Sequence, residues 1–108
     1  MEHKKKFEIQ AAACKALAHP LRMEVVHLLK EREYCFAEIL EVTGELKSNL
    51  SQHLKVMTIK GILNVRRDGQ CSHFSLSSNK VAKACKLMHE VLIENLQEQR
   101  ELFNKVKS

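Results

Sequence analysis

The segment from Lys47 to Lys60 has the hydrophobic pattern of a helix with one apolar and one polar side. Its apolar residues Leu50, Leu54, Val56 and Met57 recur mostly at three- and four-residue spacings, which places them along one side of a helix. The remaining positions are largely polar. We therefore predict an amphipathic helix whose apolar side faces a core and whose polar side is free to bind something else.

A shorter helical pattern precedes this segment. It runs from Phe36 to Val42 and ends at Thr43 and Gly44, so a helix, a tight turn and a second helix follow one another. That order is the one required for a helix-turn-helix. We predict that residues 36–60 form this motif.

The N-terminal third of the chain is also predicted to be helical. Residues 7–18 are rich in alanine, which has the highest helix propensity. The pair His19-Pro20 interrupts this helix, because proline disfavours helical geometry in the residue before it and suits the first turn of a new helix. A second helix is predicted from about Leu21 to Lys30.

Residues 62–76 change to a strand pattern, with two short runs on either side of Asp68-Gly69. An Asp-Gly pair between such runs is a strong hairpin signal, because both turn positions tolerate positive φ. We predict a small β-hairpin with a basic and polar tip.

A long final helix is predicted for residues 79–105. At 1.5 Å per residue it measures roughly 40 Å, which is more than one small domain can cover. Its apolar stripe therefore favours a partner helix, most simply from a second copy of the chain. The stripe consists of Val81, Cys85, Met88, Leu92, Leu96 and Phe103.

Together these elements predict a mainly α fold with a small β-hairpin, a single winged helix-turn-helix domain spanning residues 1–108. The length of 108 residues and the hydrophobic fraction of 44% agree with one globular domain. Helices 7–18 and 79–105 are the predicted dimerisation helices, and residues 62–76 are the predicted wing.

Charge adds a preference for a polyanionic partner. The net charge is +5, and no acidic residue occurs between Leu46 and Arg67, where five lysines and arginines lie. The chain has no apolar run as long as a membrane span and no apolar signal region behind its basic N-terminus, so a cytoplasmic location without membrane contact is expected. A glycine-rich phosphate loop, paired carboxylates in a recognisable motif and a nucleophile elbow are all missing, which argues against an enzyme.

Four segments resemble a known family. LAHPLR (17–22), SNLSQHLKVM (48–57), KGIL (60–63) and RRDGQCSHFSL (66–76) are similar to the ArsR/SmtB family of metal-sensing repressors, and the resemblance extends from about residue 10 to residue 96. It implies a homodimer built from the first and last helices. Such a dimer binds a double-stranded operator as a repressor and is released by a metal ion, a metalloid or a thiol-reactive signal.

DNA recognition is expected from the polar side of the 47–60 helix and from the wing. Base edges are read by a few side chains near the start of the inserted helix, and backbone contacts position the protein. The predicted base readers are Lys47, Ser48, Asn49 and Gln52, and the predicted backbone contacts are Lys55, Arg66, Arg67 and Gln70. His53 is predicted to pack and not to read a base. For a dimer, the operator should be an inverted repeat with half-sites about one DNA turn apart.

The cysteines are the predicted sensor. Thiolates select soft ions such as As(III), Sb(III) or Cd(II), so Cys14, Cys35 and Cys85 are candidate ligands. By the resemblance, Cys35 matches the first cysteine of the arsenic and cadmium sites, and Cys14 could join it across the dimer. The zinc site that some relatives carry on the last helix has no equivalent here.

Two alternatives remain open. A thiol-based redox or persulfide-responsive repressor would use the same cysteines as a reactive pair, although His27 occupies the position of one cysteine in the persulfide sensors. A winged-helix protein-interaction module would not bind DNA at all, and its binding would be insensitive to salt, whereas DNA binding weakens steeply as salt rises.

Overall fold

The computed structural model describes residues 2–107, and within that range five helices and three short strands follow one another. In chain order these are α1 (Glu2–Leu17), α2 (Pro20–Leu29), β1 (Tyr34–Cys35), α3 (Phe36–Thr43), α4 (Lys47–Ile59), β2 (Leu63–Asp68), β3 (Cys71–Leu76) and α5 (Asn79–Lys107). The predicted mainly α winged fold is confirmed.

The first helix begins earlier than predicted, at Glu2 instead of residue 7. Glutamate and lysine are good helix formers, and an acidic residue in the first turn interacts favourably with the helix dipole. The second helix begins at Pro20, one residue before the predicted start, because His19 caps it. The backbone of His19 is extended, and its Nδ1 atom accepts a hydrogen bond from the Leu21 N–H at 3.1 Å.

The sheet has a third strand that the sequence pattern did not reveal. Strand β1 pairs antiparallel with β3, with Tyr34 opposite Phe74 and Cys35 opposite His73, so that the strand order is β1-β3-β2. A strand of two residues is too short to display alternation. It nevertheless ties the start of α3 to the wing.

The hairpin turn differs from the predicted one. Asp68 pairs with Cys71 as part of the ladder, so the two-residue turn consists of Gly69 and Gln70. Among the described residues only glycines have positive φ, and Gly69 has a φ of 62°. The turn predicted at Asp68-Gly69 is therefore shifted by one residue along the chain. A glycine at the first turn position alone is typical of a type II′ turn.

The helix-turn-helix itself is confirmed. Helix α3 ends at Gly44, whose φ of 66° is left-handed and whose N–H donates to the Leu40 carbonyl at 3.0 Å. Helix α4 then begins after only two more residues. This short connection fixes α4 relative to α3.

The core holds α4 by its apolar side. Leu50, Leu54 and Met57 are fully buried or nearly so, as predicted, while Val56 is only partly buried. They belong to a cluster with residues of α2, α3 and the wing. Burying one leucine side chain stabilises a fold by roughly 1.5–3 kcal/mol, so this side of α4 stays inside and its polar side must face outward. The other fully buried large side chains are Val25, Val26, Ile39 and Leu63.

Helix α5 packs against the subunit only near its start. Val81 and Cys85 are partly buried against the core, whereas Met88, Leu92 and Leu96 further along are 60%, 54% and 61% exposed. None of the helices described combines the length and the hydropathy that spanning a bilayer requires.

Candidate nucleic-acid interface

The polar side of α4 forms a continuous exposed surface. Lys47, Ser48, Asn49, Gln52 and Lys55, all predicted to contact DNA, are exposed. Helix α4 carries no acidic residue in its first turn, and its first intrahelical bond joins the Leu50 N–H to the Leu46 carbonyl at 2.9 Å. The N–H groups that precede Leu50 in the helix have no intrahelical acceptor, as at any helix start, and this end favours an anion such as a phosphate.

Asn49 is held by an acidic neighbour. Its Nδ2 donates to Oε1 of Glu45 at 2.8 Å, and the Leu46 N–H donates to the same oxygen at 3.3 Å. These bonds, that from Asn49 first, lower the pKa of Glu45 below its usual value. The Asn49 side chain is exposed, but rotation of its amide would break the hydrogen bond to Glu45.

His53 lies on the inner side of α4, where it was predicted to pack. Its Nδ1 accepts a hydrogen bond from Arg22 Nε at 2.9 Å, and its ring lies 4.2 Å from that of His19 between centroids. Burial lowers the pKa of His53, and the nearby His19 and Arg22 lower it further. The neutral ring is thus the one that fits this contact.

Arg22 extends this contact to the first helix. Its Nη1 donates to the carbonyl of the buried Ala16 at 3.0 Å. One side chain of α2 consequently joins the end of α1 to α4. Sequence reasoning missed this role, because Arg22 and His53 are 31 residues apart in the chain.

The two wing arginines that were predicted to contact phosphates have different surroundings. Arg66 is bound to Glu33, with Nη2 2.6 Å and Nε 3.4 Å from the two carboxylate oxygens, and it lies 3.9 Å from Asp68. The Arg66 guanidinium lowers the pKa of Glu33, and the Glu33 carboxylate raises the pKa of Arg66. In this structure the salt bridge between Arg66 and Glu33 connects the wing to the loop before β1.

Arg67 has a different environment. Its side chain points to the opposite face of the sheet from that of Arg66, since neighbouring residues of a strand alternate. Within the described part of the chain it is exposed and forms no salt bridge. Gln70 is exposed in the turn beside it. Arg67 and Gln70 are therefore the wing residues that are available to a phosphate backbone.

Two of the candidate cysteines lie on the first and last helices. Cys14 is exposed on α1, and Cys85 is partly buried on α5. Burial raises the pKa of the Cys85 thiol, and the neighbouring Cys14 raises it further. A raised pKa keeps the Cys85 thiol protonated at neutral pH, and Cys14 lies on the helix that was predicted to share the dimer interface.

Cys35 has a structural role at the start of α3. Its backbone N–H donates to Glu38 Oε1 at 3.0 Å, and its thiol lies against the same carboxylate. Arg32 binds the other oxygen at 3.0 Å. These contacts, the backbone bond first, lower the pKa of Glu38 to about 2. Residues 2–107 contain no group of three or more His, Cys, Asp or Glu side chains arranged to hold a metal ion.

The fold and this surface define a winged helix-turn-helix protein of the transcription-regulator class, in which α4 is the second helix of the helix-turn-helix. Residues 19–65 match the family model described as a bacterial regulatory protein, arsR family. The chain belongs to the ArsR family, whose members are DNA-binding transcriptional regulators. This agrees with the prediction of a regulator and not an enzyme.

The relatives of this chain include both a named repressor and a named activator of transcription. The HTH-type transcriptional regulator Rv0081 of Mycobacterium tuberculosis is 34% identical over 93 residues, which cover 85% of this chain and 82% of the relative. The transcriptional repressor PagR of Bacillus anthracis is 31% identical, and the match covers 78% of this chain and 85% of PagR. The transcriptional activator HlyU of Vibrio cholerae is 30% identical, with 71% of each covered.

Solved structures agree with the fold. The crystal structure of Rv0081 has a TM-score of 0.78 at 33% identity and covers 86% of this chain and 94% of that one. The homodimeric winged helix-turn-helix DNA-binding domain of Mb0332 from Mycobacterium bovis also has a TM-score of 0.78, at 25% identity and with 89% of each chain covered.

Proposed function

We propose that this chain is a homodimeric repressor that places α4 in the major groove of a double-stranded DNA operator. The observation that carries the proposal is the division of α4 into a buried apolar side and an exposed polar side without acidic residues. A helix anchored in this way can present amide and ammonium groups to base edges without leaving its own core. Family membership supports the same conclusion.

The apolar stripe of α5 supports a homodimer. Met88, Leu92 and Leu96 are more than half exposed in the isolated chain, and Phe7 and Ile9 of α1 are exposed as well. Patches of this kind mark interaction sites in soluble proteins. The homodimeric state of the similar Mb0332 domain makes a second copy the natural occupant.

A two-fold dimer requires a two-fold operator. Two recognition helices enter successive major grooves when their half-sites lie about 34–36 Å apart, so the proposed operator is an inverted repeat. Lys47, Ser48, Asn49 and Gln52 would read bases, and Lys55, Arg67 and Gln70 would contact the backbone. Arg66 would join them only after release from Glu33.

The proposed effect of the protein on transcription is repression. A dimer that covers an operator next to a promoter blocks transcription without further partners, and PagR is named as a repressor. Because HlyU is named as an activator, a transcription measurement has to distinguish repression from activation. Transcription from the operator in a purified system should fall when the protein is added; a rise would show an activator.

Release of the operator is proposed to act through Cys14 and Cys85, on helices that would join the two subunits. A thiophilic ion such as As(III), Sb(III) or Cd(II) would find two thiol ligands there in one chain. The donor set within one chain is therefore incomplete for a metalloid that prefers three thiolates, and Cys35, engaged with Glu38, does not complete it. A third ligand would have to come from the second subunit or from solvent.

The same two cysteines support a second candidate, a thiol redox sensor. In that case a peroxide would accept two electrons and two protons from the two thiols, leaving a disulfide and water. The ion and the peroxide act on the same pair, so one experiment separates them.

The DNA-binding proposal is tested by titrating the protein into operator DNA at several salt concentrations. The logarithm of the affinity should fall linearly with the logarithm of salt, with a slope of about −0.9 for each phosphate contacted. Gln52→Ala should weaken specific binding, whereas Glu41→Gln on α3 should not. An affinity independent of salt would instead indicate a protein-interaction module.

The sensor proposal is tested by adding arsenite, antimonite, cadmium or peroxide to the reduced complex with DNA. The expected result is release by one class of agent, abolished in Cys14→Ser and in Cys85→Ser but kept in Cys71→Ser. Release that depends on Cys35 alone would contradict the assignment to the Cys14 and Cys85 pair. If no agent releases the DNA, sensing by these cysteines is refuted while DNA binding is unaffected.

A further inference from the structure

Glu45, in the loop between α3 and α4, lies one helical turn before the predicted base reader Asn49. The Asn49 Nδ2 and the Glu45 Oε1 are 2.8 Å apart, and Glu45 is only partly exposed. Glu45 was not among the residues that sequence reasoning selected. It falls just outside the acid-free segment, and only the fold shows that its side chain turns toward α4.

The chemistry of the two partners fixes which way the Asn49 amide points. An ionised carboxylate can only accept hydrogen bonds, whereas a side-chain amide has a nitrogen with two N–H donors and an acceptor oxygen, and one of these N–H groups donates to Glu45. The nitrogen of Asn49 must therefore face Glu45, and its oxygen must face elsewhere. The usual ambiguity in placing the two ends of an amide does not arise beside such a partner.

The surroundings of Glu45 keep it ionised. The Leu46 N–H donates to the same oxygen at 3.3 Å, and the bonds from Asn49 and Leu46 lower the pKa of the carboxylate. At neutral pH the carboxylate is thus a permanent acceptor. The orientation of Asn49 is set before any DNA arrives.

We propose that Glu45 is a positioning residue that makes Asn49 read its base through the side-chain oxygen, as a hydrogen-bond acceptor. In the major groove, adenine and cytosine present an amino group that can donate to this oxygen, whereas guanine and thymine present acceptors at the corresponding places. Asn49 should therefore select adenine or cytosine. The inference rests on the proposed function, because it requires α4 to lie in the groove.

The experiment compares base preference among four proteins. The wild type, Glu45→Gln, Asn49→Ala and Glu41→Gln are each used to select operators from randomised DNA, and their affinities are then measured for DNA carrying each base at the position that Asn49→Ala identifies. Gln has nearly the same shape as Glu but can donate or accept, so Asn49 can then turn either end outward. Glu41→Gln removes the same charge from exposed α3 without touching Asn49.

The wild type and Glu41→Gln are expected to prefer adenine or cytosine at that position by roughly fivefold or more, the lower end of what a good base contact provides. Glu45→Gln should reduce this preference to less than about twofold by accepting guanine and thymine, with the rest of the operator unchanged. Circular dichroism verifies that each variant is folded, and Glu45→Ala, which removes the partner altogether, repeats the test.

Two results would overturn the inference and leave the proposed function standing: a wild-type preference for guanine or thymine at that position, or an unchanged preference in both Glu45 variants. If the wild type selects no sequence at all, the proposed function fails first. The two failures are therefore distinguishable.

Discussion

Helices α4 and α5 have the same kind of apolar stripe but opposite surroundings. In α4, 13 residues long, Leu50, Leu54 and Met57 are at most 1% exposed. In α5, 29 residues long, Leu92 and Leu96 are 54% and 61% exposed. The subunit buries nearly all of the apolar stripe of α4, but it leaves most of the apolar stripe of α5 exposed.

The difference shows what a hydrophobic period specifies. Three- and four-residue spacing determines which side of a helix is apolar, but it does not determine what covers that side. Helix α4 is about 20 Å long and fits over the core of one small domain, whereas α5, at about 43 Å, extends well past it. The first stripe therefore serves folding, and the second is available for association.

The largest expected effect follows from removing a side chain of the α4 stripe. Leu54→Ala should lower the free energy of unfolding by about 2–5 kcal/mol, because it leaves a cavity in a close-packed core. Urea unfolding followed by circular dichroism measures the change at fixed protein concentration. A decrease below about 1 kcal/mol would mean that α4 is not anchored as described.

Changing the α5 stripe should affect association more than folding. Leu96→Glu places a charge in the proposed dimer seam and should weaken the dimer by roughly a hundredfold, which corresponds to about 2–3 kcal/mol at a central position of an interface. Sedimentation equilibrium measures the dissociation constant of the dimer. Gln97→Glu introduces the same charge beside the stripe and is the matched control. Equal dimer affinity in both variants would contradict the proposed interface.

The two wing arginines should differ in their effect on DNA binding. Arg67→Ala should make the salt slope shallower by about 1, because one phosphate is then no longer neutralised by the protein. Arg66→Ala should leave the slope nearly unchanged, because Glu33 already holds this guanidinium. Fluorescence anisotropy over a series of salt concentrations separates the two. The opposite ranking would mean that Arg66 leaves Glu33 when DNA binds.

The smallest effect concerns the pH dependence of the contacts that Glu38 makes at the start of α3. Bonds from the Cys35 N–H and from Arg32 lower the pKa of Glu38 to about 2, so this carboxylate stabilises the fold above its unfolded pKa near 4.5. That contribution should disappear as the pH falls from about 4.5 towards 2. Wild type should melt higher than Glu38→Gln at pH 7, and the difference should shrink over this range.

The control for that measurement is Glu41→Gln on the same helix. Glu41 forms no salt bridge in the described part of the chain, so its variant should melt close to the wild type at each pH. A Glu38→Gln difference that stayed constant throughout the acid range would argue against the capping contact.

The exposed polar side of α4 was predictable because it depends on local order along the chain. Asn49, Gln52 and Lys55 follow from helical spacing, and Arg67 from its place on a wing strand. The status of Arg66 was not predictable, because its partner Glu33 lies 33 residues away. Strand β1 was missed because two residues carry no readable period.

The sequence by itself determined the helices, the turn of the helix-turn-helix and the side of α4 that turns inward, since propensity, capping and hydrophobic period are properties of neighbouring residues. Only the tertiary structure decided that Glu33 holds Arg66 and that Arg22 joins α1 to α4. The physical reason is that hydrogen bonds and packing between distant segments depend on their separation in space, which no local pattern encodes.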